Sequence, residues 1–373
     1  MNDEKEYTPD WVPENAGDAF AVSIKKGIEL DKTSKVKKAP VHKKRAQLSV
    51  NEYVDGVLKA DKTILARTIT LIESNSAEHY EKAREVLKGL LPYAGKSLRV
   101  GITGVPGAGK STLIETLGCY LIKQGHKVAV LAVDPTSSIT KGSILGDKTR
   151  MEKLSREQSS FIRPSPSGGT LGGVTRKSRE TILMCEAAGF DVILIETMGV
   201  GQSEITVRSM VDFFLLVMIS GAGDELQGIK KGVIEIADTI VVNKADGRNR
   251  ELANAAKTEY SLALKYLTPA TKGWKINAYI CSALTGEGTH EIWNVIKEFE
   301  KITKKSGFFY ERRKRQRLEW MFSMIENYLN ENFYENHEVQ KQLSLIKDQV
   351  LDKTLLPTTA AENLLKTFYM SKK

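Results

Sequence analysis

The chain has 373 residues, a formal net charge of +9 and 41 % hydrophobic residues, which fits one large α/β domain with helical additions. Its longest apolar run, "VDFFLLVMI", is too short to cross a bilayer and suits a buried strand, so we expect no membrane association. The three cysteines, Cys119, Cys185 and Cys281, form no CxxC pair or Cys/His cluster, which argues against a disulfide framework and a zinc site.

Residues 1–46 are predicted to be a flexible polar leader, because their hydrophobicity is low. We interpret the leader as disordered, and an added docking arm is the alternative. The first twenty residues carry six acids against one lysine, which argues against a secretion signal or a transit peptide. We therefore expect a cytoplasmic protein. Two basic runs, 32–45 and 311–317, lack interleaved aromatic residues, so no nucleic-acid partner is predicted.

The segment 47–95 is predicted to be an N-terminal helical extension. Helical spacing of apolar residues begins at Ser49, and a second helix is expected over Glu78–Leu90, ending near Pro92. The region 96–300 then alternates continuous apolar runs with helical segments, which predicts an α/β domain with a mostly parallel central sheet. The expected strands are Leu98–Thr103, Lys127–Val133, Ser160–Arg163, Asp191–Glu196, Phe213–Ile219, Thr239–Asn243 and Ile276–Cys281. The region 301–373 is predicted to be a C-terminal helical extension, with a capping box at Thr359-x-x-Glu362.

The stretch "GVPGAGKST" lies between the first expected strand and a helix, and it contains the complete P-loop pattern of an NTPase. The glycines allow backbone N–H groups to surround phosphate oxygens, and the helix N-terminus adds its positive end. Lys110 is expected to reach the β- and γ-phosphates, and Ser111 to offer its hydroxyl to Mg²⁺. The predicted nucleotide-binding residues here are Gly104, Val105, Pro106, Gly107, Ala108, Gly109, Lys110, Ser111 and Thr112.

The sequence also indicates which base is bound. Asn243, Lys244 and Asp246 form an NKxD pattern at the end of a late apolar strand. An aspartate there can accept hydrogen bonds from N1–H and the 2-amino group of guanine, which adenine does not offer. Ser282-Ala283-Leu284 follows the next strand and resembles the second base-contacting segment of GTP-binding proteins. We therefore predict GTP rather than ATP.

Three acidic residues are candidates for the metal site of a GTP hydrolase. Asp134 and Glu196 each end an apolar strand, and ligands of doubly wound folds bind at that edge of the sheet. Asp147 lies in the loop segment "GSILGDKTRM". Gln202 is a candidate for orienting water, with a plain loop residue as the alternative. No arginine is clearly placed to act as a finger in cis, although Arg150 and the pair Arg176 and Arg179 are candidates, so we expect slow hydrolysis by the isolated protein.

Several longer stretches together carry a family resemblance: "KGSILGDKTRM", "IETMGVGQSE", "ISGAGDELQGIKKG" and "VVNKADG". From about residue 49 onward the chain closely resembles the MeaB/ArgK-type GTPases, the methylmalonic aciduria type A family. The resemblance implies a SIMIBI-class P-loop G domain with helical extensions at both ends. It also implies a homodimer held largely by the C-terminal helices.

The resemblance implies a function as well. Such proteins are chaperones of adenosylcobalamin-dependent methylmalonyl-CoA mutase, and they use GTP hydrolysis to gate cofactor loading and protect the mutase. A related cobalamin-dependent acyl-CoA mutase is an equally compatible client, and we predict no cobalamin bound directly by this chain. The family's metal roles map onto Ser111, Asp134, Asp147 and Glu196, its hydrolytic roles include Lys110, Asp147 and Glu196, and its guanine contacts map onto Asn243, Lys244 and Asp246.

The resemblance also assigns a mobile, partner-responsive segment to 221–232, for which a plain surface loop is the alternative. Three other functions fit a P-loop sequence less well. A metallochaperone GTPase is the main alternative, but the five histidines are scattered and no Cys pair is present. A signal-recognition-type GTPase would carry a Met-rich client domain, whereas the nine methionines are dispersed. A small-molecule kinase would lack the NKxD pattern.

Overall fold

The computed structural model describes residues 48–74, 76–133, 151–164, 171–197, 203–221 and 231–371. Seven parallel strands form one sheet in the order β3-β2-β4-β1-β5-β6-β7. The prediction of an α/β fold with a parallel sheet is confirmed, and each strand lies within two residues of its predicted bounds. The strands are Leu98–Gly104 (β1), Val128–Val133 (β2), Ser160–Arg163 (β3), Val192–Thr197 (β4), Phe213–Ile219 (β5), Thr239–Asn243 (β6) and Ala278–Ile280 (β7).

Helices cover both faces of the sheet, as the continuous apolar strands require. None of the helices in the described ranges has the length and apolar character to span a bilayer. Their bounds are Val50–Leu58 (α1), Lys62–Glu73 (α2), Ala77–Leu90 (α3), Lys110–Lys123 (α4), Glu152–Arg156 (α5), Leu171–Ala187 (α6), Ser203–Arg208 (α7), Lys231–Ile236 (α8), Asn249–Ala263 (α9), Thr289–Lys305 (α10), Phe308–Tyr334 (α11), His337–Leu351 (α12) and Pro357–Ser371 (α13).

The two faces of the sheet bury separate hydrophobic clusters. On one face, alternate strand residues such as Val100 and Leu194 pack against α4, α9 and α10, and Leu117 and Phe299 are among the fully buried contacts. On the other face, neighbouring strand residues such as Ile193 pack against α1, α2, α3 and α6. The N-terminal helices are therefore part of the core that covers the sheet.

The C-terminal extension begins by packing on the sheet and then leaves it. The first turns of α11 bury Phe309, Arg312, Arg313 and Gln316. Further along α11 several large apolar side chains, Leu318, Phe322 and Tyr328 among them, are exposed. The last two helices, α12 and α13, pack on each other through a small cluster of their own that includes Phe368.

The basic run 311–317 explains how α11 is fixed to the sheet. Arg313 donates to both carboxylate oxygens of Asp212 at 2.7 and 2.6 Å, and to the carbonyl oxygens of Gly95 and Ser97 at 2.6 Å each. Arg312 donates to the Asp212 carbonyl at 2.5 Å. Asp212 directly precedes β5, so this buried ion pair closes the amino edge of the sheet, opposite the P-loop. Arg312 and Arg313 of this run are thus buried residues that fix α11 to the sheet.

Candidate nucleotide site

The P-loop joins β1 to α4, and its geometry depends on glycine at two positions. Gly104 and Gly109 have φ values of +149° and +81°, which disfavour side chains. A Cβ at Gly104 would lie 2.0 Å from the carbonyl oxygen of Val217, and one at Gly109 would lie 2.7 Å from Nδ2 of Asn243. The loop therefore packs directly on β5 and on the end of β6.

Lys110 is the first residue of α4 and is buried. Its Nζ donates to the carbonyl oxygens of Gly104 and Val105 at 2.9 and 3.1 Å. Burial lowers the pKa of Lys110, and the nearby carboxylates of Glu196 and Glu204 oppose that shift. The ammonium group is thus held against the P-loop backbone, where a polyphosphate is expected to bind.

Ser111 and Glu196 meet at the same edge of the sheet. Ser111 Oγ donates to Oε1 of Glu196 at 2.8 Å, because the start of α4 lies over the end of β4. One hydroxyl and one carboxylate are hard oxygen donors, the kind of ligand that Mg²⁺ prefers. These two residues fit a Mg²⁺ ion bound together with nucleotide phosphates. Asp134 and Asp147, the other predicted metal ligands, lie outside the described residues.

The three predicted nucleotide segments are linked through Asn243. Its Nδ2 donates to the carbonyl oxygen of Ala108 in the P-loop at 2.7 Å. Its Oδ1 accepts from the backbone N–H of Ala283 at 3.0 Å and from Sγ of Cys281 at 3.3 Å. Asn243 is 1 % exposed, so these bonds lie in a dry environment where they are strong. Asn243 thereby holds the P-loop and the Ser282-Ala283-Leu284 segment at a fixed separation.

Asp246 is oriented by the same segment. Ser282 Oγ donates to Oδ1 of Asp246 at 2.8 Å and accepts from the N–H of Thr285 at 3.2 Å. Lys244 has a φ of +61°, so the backbone turns sharply just after β6.

A residue outside the motifs also positions the Ser282-Ala283-Leu284 segment, because Thr116 Oγ1 on α4 donates to the Ala283 carbonyl at 2.7 Å. Leu284 is 80 % exposed.

The structure therefore brings the P-loop, the NKxD residues and Ser282-Ala283-Leu284 to one edge of the sheet. The roles given to the individual residues stay predictions. Gln202 and Arg150 lie outside the described residues, as does most of the segment 221–232. Sequence reasoning missed Thr116, whose only signal was its position on α4, and Glu204, which is 5 % exposed in the first turn of α7.

The two described arginine-finger candidates are engaged elsewhere. Arg179 donates to the carbonyl and hydroxyl oxygens of Ser209 at 2.9 and 2.7 Å, and to the Gln316 carbonyl at 3.3 Å. Arg176 Nε lies 3.6 Å from Oε1 of Glu180, and its guanidinium covers the ring of Tyr80. Arg179 is thus fixed by hydrogen bonds, whereas Arg176, with a side chain 36 % exposed, makes this longer ion pair.

Comparison with known proteins decides the family. The family model described as "Methylmalonyl Co-A mutase-associated GTPase MeaB" matches residues 65–338, a span that includes the P-loop, the NKxD residues and the amino-edge ion pair. The chain belongs to the MeaB family of GTPases. The resemblance read from the sequence is thereby confirmed.

Similar proteins agree with this placement. "Probable GTPase Mb1533" of Mycobacterium bovis is 47% identical over 319 residues, covering 84% of this chain and 95% of its own length. "Methylmalonic aciduria type A homolog, mitochondrial" of Mus musculus is 44% identical over 334 residues, covering 87% and 80%. A crystal structure described as a LAO/AO transport system kinase superposes with a TM-score of 0.71 at 36% identity, covering 86% and 98%. As a MeaB-family protein, the chain is a P-loop GTPase that hydrolyses GTP, as the sequence predicted.

Proposed function

We propose that this MeaB-family GTPase is a chaperone of adenosylcobalamin-dependent methylmalonyl-CoA mutase or of a related acyl-CoA mutase. In this proposal GTP hydrolysis gates the loading of cobalamin into the mutase and protects the mutase from inactivation. The observation that carries the proposal is the family match over residues 65–338, whose description names the mutase. The similarity to the mouse methylmalonic aciduria type A homolog supports it. Cobalamin belongs to the mutase, and no cobalamin site is assigned to this chain.

The hydrolytic site uses groups that the structure brings together. Lys110 binds the β- and γ-phosphates by exchanging its two carbonyl contacts for phosphate oxygens. Ser111 and Glu196, 2.8 Å apart, would hold Mg²⁺, with Asp134 and Asp147 as further predicted ligands. When bound, Mg²⁺ supplies positive charge that neutralises the phosphates. Asp246, oriented by Ser282, accepts hydrogen bonds from guanine.

Hydrolysis by the isolated protein is expected to be slow. Of the two described candidates for a finger, Arg179 is held by Ser209 and Arg176 is paired with Glu180. An arginine supplied to the γ-phosphate is worth roughly 10³–10⁵ in rate. We infer that the client mutase accelerates turnover by ordering the switch segments, and that 221–232 is the segment that responds to the partner.

We further propose that the protein is a homodimer formed through α11. Beyond Gln316, this helix exposes an apolar face at helical spacing, which we call the α11 face: Leu318, Met321, Phe322, Ile325, Tyr328 and Leu329, each 42–68 % exposed. A contiguous apolar surface of this kind typically marks a protein interface. A second copy of the same helix is the proposed occupant, because the spacing of three and four residues suits helix-on-helix packing.

We propose a cytoplasmic location as well. All three cysteines carry free thiols, as expected for a protein of a reducing compartment.

No observation favours the metallochaperone alternative. Among the described residues there is no group of three or more His, Cys, Asp or Glu side chains that could hold a metal ion.

The proposed function is tested by steady-state GTP turnover with and without the host's methylmalonyl-CoA mutase, with ATP in place of GTP as the control. We expect a slow GTP-specific rate that rises at least tenfold when the mutase is added. A GTP rate indifferent to the mutase would keep the GTPase and refute the mutase as the client. A fast rate by the isolated protein would contradict the inference that the client orders the site.

A further inference from the structure

The backbone pairing of β1 with β4 stops close to the nucleotide site. The two strands pair in parallel as far as Ile102 and Glu196. Beyond this point β1 continues beside β5 to Gly104, and β4 continues beside β2 to Thr197. The next helices along the chain, α4 after β1 and α7 after β4, pack on opposite faces of the sheet, and ligands of such folds bind above this kind of divergence. The last backbone ladder between the two strands thus lies directly below the nucleotide site.

A side-chain bond continues the pairing past the end of that ladder. Thr197 Oγ1 donates to Oγ1 of Thr103 at 2.7 Å, and each residue is 1 % exposed. Valine would fill the same space without a polar atom. Because a buried hydrogen bond is worth only about 1 kcal/mol net, stability alone gives little reason for two hydroxyls inside an apolar sheet.

The position of this threonine pair connects it to the GTPase site. Thr103 directly precedes the P-loop glycine Gly104, and Thr197 directly follows Glu196. Successive residues of a strand point to opposite faces. Glu196 therefore reaches Ser111 on the α4 side, at 2.8 Å, while Thr197 reaches Thr103 on the other side. Two side-chain hydrogen bonds therefore hold the end of β4, one on each face of the sheet. One is made by Glu196 and the other by Thr197.

We propose that Thr197 is a positioning residue for the GTPase reaction. Its bond to Thr103 lies one residue beyond the last backbone pair of β1 and β4, Ile102 with Glu196. It adds a side-chain bond between the two strands next to the carboxylate that accepts from the hydroxyl of Ser111. This inference rests on the proposed role of Glu196 as a Mg²⁺ ligand. Groups that orient a metal ligand without touching the metal commonly affect metal affinity strongly.

The test measures Mg²⁺ dependence of nucleotide retention rather than turnover alone. A fluorescent GDP analogue is bound to the full chain, and its dissociation rate is followed while Mg²⁺ is varied. For Thr197→Val and Thr103→Val, we expect the Mg²⁺ concentration for half-maximal retention to rise about 3- to 10-fold, as the loss of one hydrogen bond implies. The double variant should show no larger shift, since both changes remove the same bond.

Two further variants separate positioning from general stability. Thr197→Ser keeps the hydroxyl and should restore the wild-type Mg²⁺ midpoint. Thr303→Val is the matched control, because Thr303 is also fully buried but donates within α10, to Phe299 and Glu300. It should leave the midpoint unchanged. If a valine variant is too unstable to measure, Thr197→Ser against Thr197→Ala repeats the comparison.

Glu196→Gln distinguishes failure of this inference from failure of the role on which it rests. If Glu196→Gln raises the Mg²⁺ midpoint and Thr197→Val does not, the threonine bond is only structural and the inference is overturned. If Glu196→Gln also leaves the midpoint unchanged, Glu196 is not a Mg²⁺ ligand and both proposals fail. A shift in both variants, restored by Thr197→Ser, supports the inference.

Discussion

At the scale of single residues, Asn243 uses both ends of its amide. The donor end binds the P-loop at Ala108, and the acceptor end binds the segment that contains Ala283. A displacement of the P-loop is therefore transmitted to the residues predicted to bind the base. Phosphate binding and base binding are expected to be coupled for this reason, since neither segment can move without straining the same side chain.

The base assignment gives the first prediction. Asp246→Asn should weaken GTP binding by about 100-fold or more, because one of the two carboxylate oxygens that accept from guanine becomes an amide donor and faces a donor of the base. The new amide can donate to the 2-carbonyl of xanthine, so xanthosine triphosphate should bind better. Competition between the two nucleotides, measured by equilibrium binding, checks both halves of the prediction.

The control for this substitution is Asp348→Asn, which makes the same change at an exposed position on α12. It should leave both affinities as in the wild type. An unchanged GTP affinity in Asp246→Asn would show that another group selects the base.

At the scale of elements, α6 carries a carboxyl group in an unfavourable position. Burial raises the pKa of Glu180 to about 7, although Arg176 and Lys177 on the same helix oppose the shift. Arg176 forms an ion pair with Glu180 at 3.6 Å. The carboxyl group therefore binds a proton more tightly in the folded chain than in the unfolded one.

The second prediction follows from linkage between protonation and folding. Since the folded pKa is raised, Glu180 holds more proton in the folded state between about pH 4.5 and 7, and its contribution to stability falls as the pH rises through that interval. Relative to Glu180→Gln, the wild-type free energy of unfolding should drop by about 1–3 kcal/mol between pH 4.5 and 8. Urea unfolding at several pH values measures this difference.

Glu85→Gln, an exposed change on α3, is the control and should show the same pH dependence as the wild type. Parallel curves for Glu180→Gln and the wild type would mean that Glu180 ionises normally in the folded chain.

Local signals in the sequence were sufficient for some elements and insufficient for others. The P-loop and the strands were predicted because apolar runs, glycines and the lysine act over a few residues. The helical pattern from Ser49 did not show that the chain breaks at Ala60, which has a φ of +57°. The capping box expected at Thr359 is wrong, since α13 begins at Pro357. Ser49 and Glu52 form one instead.

Contacts between segments that are distant in the sequence could not be predicted from local signals. Arg312 and Arg313 lie in a run that reads as a charged helix face, and only their approach to Asp212 and Asp238 makes them interior. The pair of Thr103 and Thr197 likewise exists only because β1 and β4 are neighbours. In the candidate site, the motifs identified the residues, whereas the bonds among Asn243, Ser282 and Asp246 depend on tertiary structure.

At the scale of the whole molecule, the exposed α11 face gives the third prediction. Introducing a carboxylate at its centre, by Phe322→Glu or Ile325→Glu, should convert a dimer into a monomer, because a charge would have to be buried without a partner. Light scattering coupled to gel filtration measures the mass across a range of concentrations. The folded content, followed by circular dichroism, should be retained, since both side chains are exposed in the single chain.

Asn330→Glu introduces the same charge elsewhere on the exposed end of α11 and should remain dimeric. A wild-type protein that is monomeric at high concentration would contradict the dimer directly. A dimer unaffected by either acidic substitution would place the interface on another surface.

The buried ion pair at the amino edge of the sheet bears on where the protein can be cut. An expression fragment ending at residue 300 would lack Arg312 and Arg313, so Asp212 and the carbonyl oxygens of Gly95 and Ser97 would lose their guanidinium partners. It would also uncover the apolar surface on which Phe309 packs, and a typical domain is held together by only about 5–15 kcal/mol. A self-sufficient GTPase fragment must therefore extend through Gln316. Gene fusions that exchange the C-terminal helices should keep this first part of α11 with the catalytic half.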